Sequence, residues 1–265
     1  LLLIAAIMLL AAPARAQNRE RVTFASLDPG LRAPLSASLV RPSGDGPFPA
    51  MVLLHTCGGV GLHEDQWAKW FAEHGYLALG VDSFAPRGVR NVCAGGDPTM
   101  RTRALDAYGA LAYLRGRSDV VPTRVGAIGW SHGGGTVIWT DNAAFLAQLG
   151  TRAPAGGPFR AGVALYPACQ NFRAVRDTTM PLLLLAGSLD DWTPPGSCDD
   201  AVRNLAHANG PITYHVYEGA THAWDNSADR GVVHIGTHYY TLTYSEAATA
   251  DAHQRIADFL ADALK

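Results

Sequence analysis

The sequence predicts an α/β fold with a mostly parallel central sheet and helices on both faces. Three observations carry that expectation. Continuous apolar runs suited to strands buried on both sides recur along the chain, segments of helical periodicity separate them, and glycines punctuate the junctions. At 265 residues the chain is long enough for one sizeable core, and folds of this class and length are usually single domains.

The elements follow in order. Leu1 to Ala12 form an apolar run too short to span a bilayer, followed by Pro13-Ala14-Arg15-Ala16-Gln17, whose small residues suit signal-peptidase cleavage after Ala16. Residues 1–16 therefore read as a signal peptide truncated at its start, and residues 17–265 as one exported domain, periplasmic or secreted, with no stable membrane insertion after cleavage. Arg21 to Ala25 and Ser36 to Val40 resemble a leading hairpin turned at Asp28-Pro29-Gly30. The Pro/Gly stretch 42–49 delivers the central strand Ala50 to Leu54. A helix from Asp65 to His74 stops at Gly75, and Tyr76 to Val81 is the next strand. A helix over Thr102 to Arg115 precedes the strand Arg124 to Gly129, which runs into Trp130-Ser131-His132 and a further helix. Strands at Ala161 to Tyr166 and Leu182 to Ala186, a helix near Asp199 to Ala208, a strand at Ile212 to Tyr217 and a helix from Ser245 to Leu264 complete the alternation.

Composition narrows the function. With 48% hydrophobic residues and a formal net charge of −2, the chain has no basic footprint for phosphate neutralisation, so nucleic acid is excluded as a partner and a small molecule is expected. Export makes disulfides possible, and the four cysteines follow predicted strand ends; the preferred pairing is Cys57 with Cys93 and Cys169 with Cys198. No C-x-x-C spacing suggests a metal site.

Gly129-Trp130-Ser131-His132-Gly133 fits the G-x-S-x-G nucleophile elbow and sits between a strand and a helix, where that motif belongs. A serine held on a strained turn leaves no room for side chains two residues before and after it, and glycine stands at both places. A serine hydroxyl needs a base, and the base a carboxylate to orient it. Loops after later strands supply both. Gly187-Ser188-Leu189-Asp190-Asp191 offers two carboxylates, of which Asp190 is preferred and Asp191 stays open; Glu218-Gly219-Ala220-Thr221-His222 offers the base. His207, His215, His234 and His238 read as structural. Two amides should hold the oxyanion: that of His132, and one from His55-Thr56-Cys57-Gly58-Gly59, with Cys57 preferred and Thr56 the alternative.

With these residues in place the chain resembles the dienelactone hydrolase family. The likeness rests on His55 to Gly59, Val81-Asp82-Ser83-Phe84-Ala85-Pro86-Arg87-Gly88, Gly129 to Gly135, Gly187 to Pro194, and Gly219 to Trp224. The resemblance implies an α/β-hydrolase fold with no large lid domain, and the interval from Ser131 to Asp190 suits one helix and two strands. Family members that open dienelactones have a cysteine nucleophile, whereas this elbow carries Ser131.

The expected activity is hydrolysis of a small-molecule ester or lactone through an acyl-enzyme, with Ser131 as nucleophile, His222 as base and Asp190 orienting it, and without metal or organic cofactor. Arg87 is a candidate for binding a substrate carboxylate or else an ion-pair residue; Trp130, Trp192 and Trp224 are candidates for walling an acyl pocket or else for filling the rim. A peptidase or amidase on the same machinery, and a non-catalytic binding protein, are the alternatives.

Overall fold

Side chains alternate across a strand, so a strand whose every residue is apolar must be covered on both faces. The computed structural model describes residues 19–170, 175, 177–204 and 210–265; the expected signal peptide and His207 lie outside the described residues. The leading hairpin is β1 (Arg19–Phe24) against β2 (Leu35–Val40), antiparallel with Arg19 opposite Val40. Next come β3 (Phe48–Leu54), α1 (Leu62–Glu73) and β4 (Leu77–Asp82). The N-terminus of α1 is closed by Glu64, which accepts the Gly61 amide at 2.8 Å, and the helix ends ahead of Gly75 in the left-handed region at φ +85°.

Helix α2 (Met100–Arg115) leads to β5 (Val120–Trp130), then α3 (His132–Thr140), β6 (Gly162–Leu165), β7 (Leu182–Gly187) and β8 (Ile212–Tyr217). Spatially the eight strands run β1-β2-β4-β3-β5-β6-β7-β8, antiparallel through β1, β2 and β4 and parallel from β4 onward. This is an α/β-hydrolase sheet.

The apolar runs divide by parity. Ala50, Val52 and Leu54 face the layer that holds Leu111 and Leu114 of α2 and Val137 and Ile138 of α3, while Met51 and Leu53 face Trp67 and Phe71 of α1 together with Ile256 and Leu260 of the C-terminal helix. Leu182 and Leu184 of β7 go to the first layer, and Leu183 and Leu185 to the second.

Chain order reverses at β3, whose neighbours are β4 on one side and β5 on the other. Connections that leave in opposite directions open a crevice at the carboxyl ends of such strands, which is where open α/β sheets place ligands. The loop holding Cys57 and the turn holding Ser131 both emerge there.

Two features depart from the sequence expectation. A short helix (Ala143–Leu149), α4, adds to the single helix expected between Ser131 and Asp190; its seven residues are too few for helical periodicity to register. A separate hairpin of β9 (Arg230–Ile235) and β10 (His238–Thr243) precedes the last helix, where the alternation of aromatic, polar and small residues contains no apolar run. The helix expected near Asp199 to Ala208 spans Gly196–Asn204 as α5, its expected end passing beyond the described residues, and the C-terminal helix α6 covers Glu246–Ala263.

Candidate active site

Ser131 joins β5 to α3 with φ 51° and ψ −111°, a conformation a non-glycine residue adopts only when its surroundings enforce it. Its amide donates to the Leu165 carbonyl of β6 at 2.9 Å. The flanking glycines are a steric requirement: a Cβ on Gly129 would lie 2.2 Å from the Gly133 carbonyl oxygen, and one on Gly133 would lie 1.9 Å from that of Leu54. The elbow is therefore pressed onto the end of β3.

The loops after β7 and β8 bring the other two residues to this turn. Ser131 Oγ is 3.0 Å from His222 Nε2, and His222 Nδ1 is 2.8 Å from Asp190 Oδ2, all three residues being buried. A Cβ on Gly187 would lie 2.3 Å from the Ala220 carbonyl oxygen, so the two loops touch through a position where no side chain fits. Asp190 Oδ1 accepts the amides of Trp192 at 2.9 Å and Thr193 at 2.7 Å, and Thr193 Oγ1 lies 2.9 Å from Oδ2. Asp191 points elsewhere and receives the Thr241 amide of β10 on both oxygens at 3.1 Å.

Behind these residues lies a buried polar cluster that the sequence reading did not find. Asp225, three positions past His222, accepts Trp67 Nε1 at 2.9 Å and Trp130 Nε1 at 3.0 Å on Oδ2, and the Tyr166 hydroxyl at 2.7 Å on Oδ1. His63 Nε2 is also 3.0 Å from Oδ2. Burial alone would lower the His63 pKa, yet the adjacent Asp225 overrides it and lifts the imidazole to about 10. Burial alone would raise Asp225; the charge of His63 and the converging donors hold it below the usual carboxylate range instead. The Tyr166 ring meets His222 edge-on at 4.8 Å, linking this cluster to the imidazole that faces Ser131. The available signal was thin: His63 opens the polar run His63-Glu64-Asp65-Gln66 and Asp225 precedes Asn226-Ser227, so each reads as part of a solvated segment.

In the loop after β3, His55 is buried, and burial followed by the nearby charge of Arg103 holds its pKa well below the ordinary value. Its neutral ring donates from Nδ1 to the Thr56 carbonyl at 2.7 Å and accepts the Ser83 amide on Nε2 at 3.3 Å. The Thr56 amide is turned toward Glu64 Oε1 at 3.5 Å, and the Gly58 amide donates to Thr56 Oγ1 at 3.2 Å. The Cys57 amide has no such partner among the described residues. The expected disulfides, Cys57 with Cys93 and Cys169 with Cys198, are both formed.

A cleft of about 410 Å³ opens over Ser131, lined by Cys57, Cys93, His132, Trp192 and Thr193 among others. Trp192 lies on its wall, between His222 at 5.0 Å and Tyr240 of β10 at 4.5 Å. Three expected binding residues do not reach it. Arg87 donates to both oxygens of Asp106 at 2.8 and 3.0 Å and to Asp28 at 2.8 Å, so its guanidinium is committed to an ion pair. Trp130 and Trp224 are fully buried, the first bonded to Asp225 and the second packed against Tyr166 and Tyr217, because the strand and loop that carry them direct them inward. Arg101 and Gln170, not singled out in the sequence, do line the cleft. His215, His234 and His238 lie away from it on β8 and the β9–β10 hairpin.

Chemically, a serine hydroxyl in reach of one imidazole nitrogen, with a carboxylate on the other, is an arrangement suited to covalent acyl transfer. Comparison with known proteins agrees in fold and lineage. The model of the dienelactone hydrolase family matches residues 35–264. A protein of Escherichia coli O157:H7, provisionally named carboxymethylenebutenolidase, is 26% identical over 227 residues, covering 81% of this chain and 77% of its own. The crystal structure of a provisionally named dienelactone hydrolase from Klebsiella pneumoniae superposes with a TM-score of 0.68 at 18% identity, covering 92% of this chain and 99% of that one. Thermogutta terrifontis esterase 2, in its form phosphorylated by paraoxon, gives 0.66 at 15% identity, covering 90% and 93%.

Proposed function

The chain belongs to the dienelactone hydrolase family, and from that premise we propose that it hydrolyses carboxylic ester or lactone bonds of small molecules with Ser131 as nucleophile. The observation that carries the proposal is the continuous hydrogen-bonded path from Ser131 Oγ through His222 to Asp190, at 3.0 and 2.8 Å, beneath a cleft large enough for a small substrate.

In this scheme His222 Nε2 takes the hydroxyl proton as Ser131 Oγ bonds to the substrate carbonyl carbon, and Asp190 steadies the imidazolium through Nδ1. Three further contacts, from the Trp192 and Thr193 amides and the Thr193 hydroxyl, orient that carboxylate. The carbonyl oxygen becomes an oxyanion held by the amides of His132 and Cys57; the first opens helix α3, whose leading amides have no intrahelical acceptor. Collapse expels the leaving alkoxide, which takes the proton from His222. A water, deprotonated by the same imidazole, then attacks the acyl-enzyme, releases the acid and restores the serine. The chemistry needs no metal or organic cofactor, and among the described residues none of the His, Cys, Asp and Glu clusters is arranged to hold a metal ion.

We place the mature chain, residues 17–265, outside the cytosol. The two disulfides support this, since a reducing compartment would open them. No helix of the described residues is long and apolar enough to cross a membrane.

Paraoxon provides the test. The serine mechanism predicts a diethylphosphoryl adduct on the peptide containing Ser131, with parallel loss of activity on p-nitrophenyl butyrate; an enzyme that hydrolyses the ester yet carries no adduct on that peptide contradicts it. Peptide anilides in the same assay separate an esterase from an amidase.

A further inference from the structure

One basic side chain of α2 is buried entirely within the apolar layer. Arg103 has no exposed surface and lies beside Ala104, Ala107 and Tyr108, which are equally buried. Its Nη1 donates to His132 Nδ1 and its Nη2 to the His55 carbonyl, each at 2.7 Å, while the guanidinium carbon stands 5.1 Å from the centre of the Phe84 ring. Among the described residues Nε has no hydrogen-bond partner. The nearest carboxylate on the same helix, Asp106, gives its oxygens to Arg87 and Ser26 instead. A buried cation whose hydrogen bonds go to a ring nitrogen and a carbonyl is costly to keep, and a methionine of similar volume would fill the same space more cheaply.

Resting on the serine-hydrolase reading, we propose that Arg103 is the positioning residue of the oxyanion pocket, its planar fork joining the two chain segments whose amides hold the oxyanion. One arm holds the loop after β3 by the carbonyl of His55, two residues before Cys57. The other holds the elbow by the side chain of His132, the residue that contributes the second amide. The segments already touch, since a Cβ on Gly133 would lie 1.9 Å from the Leu54 carbonyl oxygen and 2.7 Å from that of His55. Contact prevents closer approach but leaves sliding free. A guanidinium with two donors in fixed relative geometry removes that freedom, which a lysine ammonium, a single point of charge, does not. Placement matters at this scale because a misplacement of about 1 Å can cost roughly 100-fold in rate.

The same contact decides the state of His132. An arginine hydrogen bond occupies Nδ1, so the remaining proton sits on Nε2, and burial together with the Arg103 charge lowers the pKa to about 3. The imidazole next to the nucleophile is thus a fixed neutral handle and does not compete with His222 as a base. Arg103 itself is lowered to about 10 by burial, with Asp106 and Glu64 opposing, and so stays protonated at neutral pH.

The test uses the full mature chain, titrated with paraoxon to count working sites, so that misfolded protein is not read as slow protein. Per titrated site, Arg103→Met should lower kcat for p-nitrophenyl butyrate about 10- to 100-fold, with KM within about threefold. Inhibition by butylboronic acid, which mimics the tetrahedral adduct, should weaken in step with kcat. Arg103→Lys should recover only part of the loss, and if Arg103→Met does not fold, the lysine variant carries the test with the same pairing of kcat and boronate affinity. Combining either variant with His132→Leu should cost less than the product of the single losses, because both cut the same arm. Unchanged kcat and boronate affinity per site, or strictly multiplicative losses, would overturn the inference. Wild-type protein that takes no paraoxon overturns the serine mechanism and this inference with it, whereas a titratable wild type with indifferent Arg103 variants overturns the inference alone.

Discussion

Asp225 Oδ2 lies 3.0 Å from His63 Nε2, across 162 positions of sequence, with both side chains buried. The pair joins α1 to the loop that carries His222, and Trp130 and Tyr166 bond to the same carboxylate. Removing one partner of such a pair strands the other's charge or forces it to neutralise, so Asp225→Asn should destabilise the fold by about 3 kcal/mol or more. The pair also sets a pH dependence. His63 has a folded pKa of about 10 against an ordinary 6.5, so between those values the folded state holds a proton that the unfolded chain releases. Stability from this group is complete below about pH 6.5 and is lost as pH rises toward 10. Urea unfolding across that range should decline in the wild type and be flatter in Asp225→Asn.

Asp141 predicts a second slope in a lower window. It is buried at the end of α3, where Oδ1 accepts the Thr179 and Met180 amides at 2.7 and 2.9 Å while Oδ2 has no partner among the described residues. Burial raises its pKa from 3.8 to about 7 against those hydrogen bonds. The folded state therefore binds the extra proton between these values, and the group's contribution falls as pH climbs through them. Asp141→Asn keeps the accepting oxygen and should abolish the slope, which thermal unfolding at a series of pH values will read.

The two adjacent acidic residues after β7 should behave differently. Asp190 faces His222 and Asp191 faces the Thr241 amide. Asp190→Asn, which reverses the hydrogen-bond demand on Nδ1, should lower kcat by about 10⁴. Asp191→Asn should stay within about threefold, since amide capture by an exposed carboxylate contributes little to the reacting centre.

Fold and site were legible in the sequence to different depths. Runs such as Ala50 to Leu54 and Leu182 to Ala186 announced strands covered on both faces, and the G-x-S-x-G at Ser131 announced its own turn because sterics leave so few alternatives. The hairpin holding Tyr240 was missed because half-exposed strands of mixed polarity carry no comparable run. Arg87 shows the limit of reading a residue by the loop that holds it: the loop reaches the expected edge of the sheet, but Asp28 and Asp106, distant in sequence, capture the side chain. Arg103, Tyr166 and Asp225 were hidden for a related reason, since a buried polar residue declares its role only through partners the fold delivers.

Of the two disulfides, Cys57–Cys93 lines the cleft over Ser131 and Cys169–Cys198 does not. Cys57–Cys93 closes a separation of 36 residues and Cys169–Cys198 one of 29, so loop entropy assigns each about 4 kcal/mol. Replacing either pair with serines should cost similar stability in denaturant titrations. Only loss of Cys57–Cys93, which lines the cleft beside the proposed oxyanion amide, should also lower kcat at temperatures where the protein remains folded.

The measurement closest to the central claim is steady-state hydrolysis of p-nitrophenyl butyrate by folded Ser131→Ala, His222→Ala and the double variant. A hydroxyl activated by that imidazole predicts losses approaching 10⁶ in kcat for each single change and little more for both together, because the residues act as a unit. If His222→Ala kept even about a tenth of the wild-type rate, the 3.0 Å contact with Ser131 Oγ would be packing rather than catalysis.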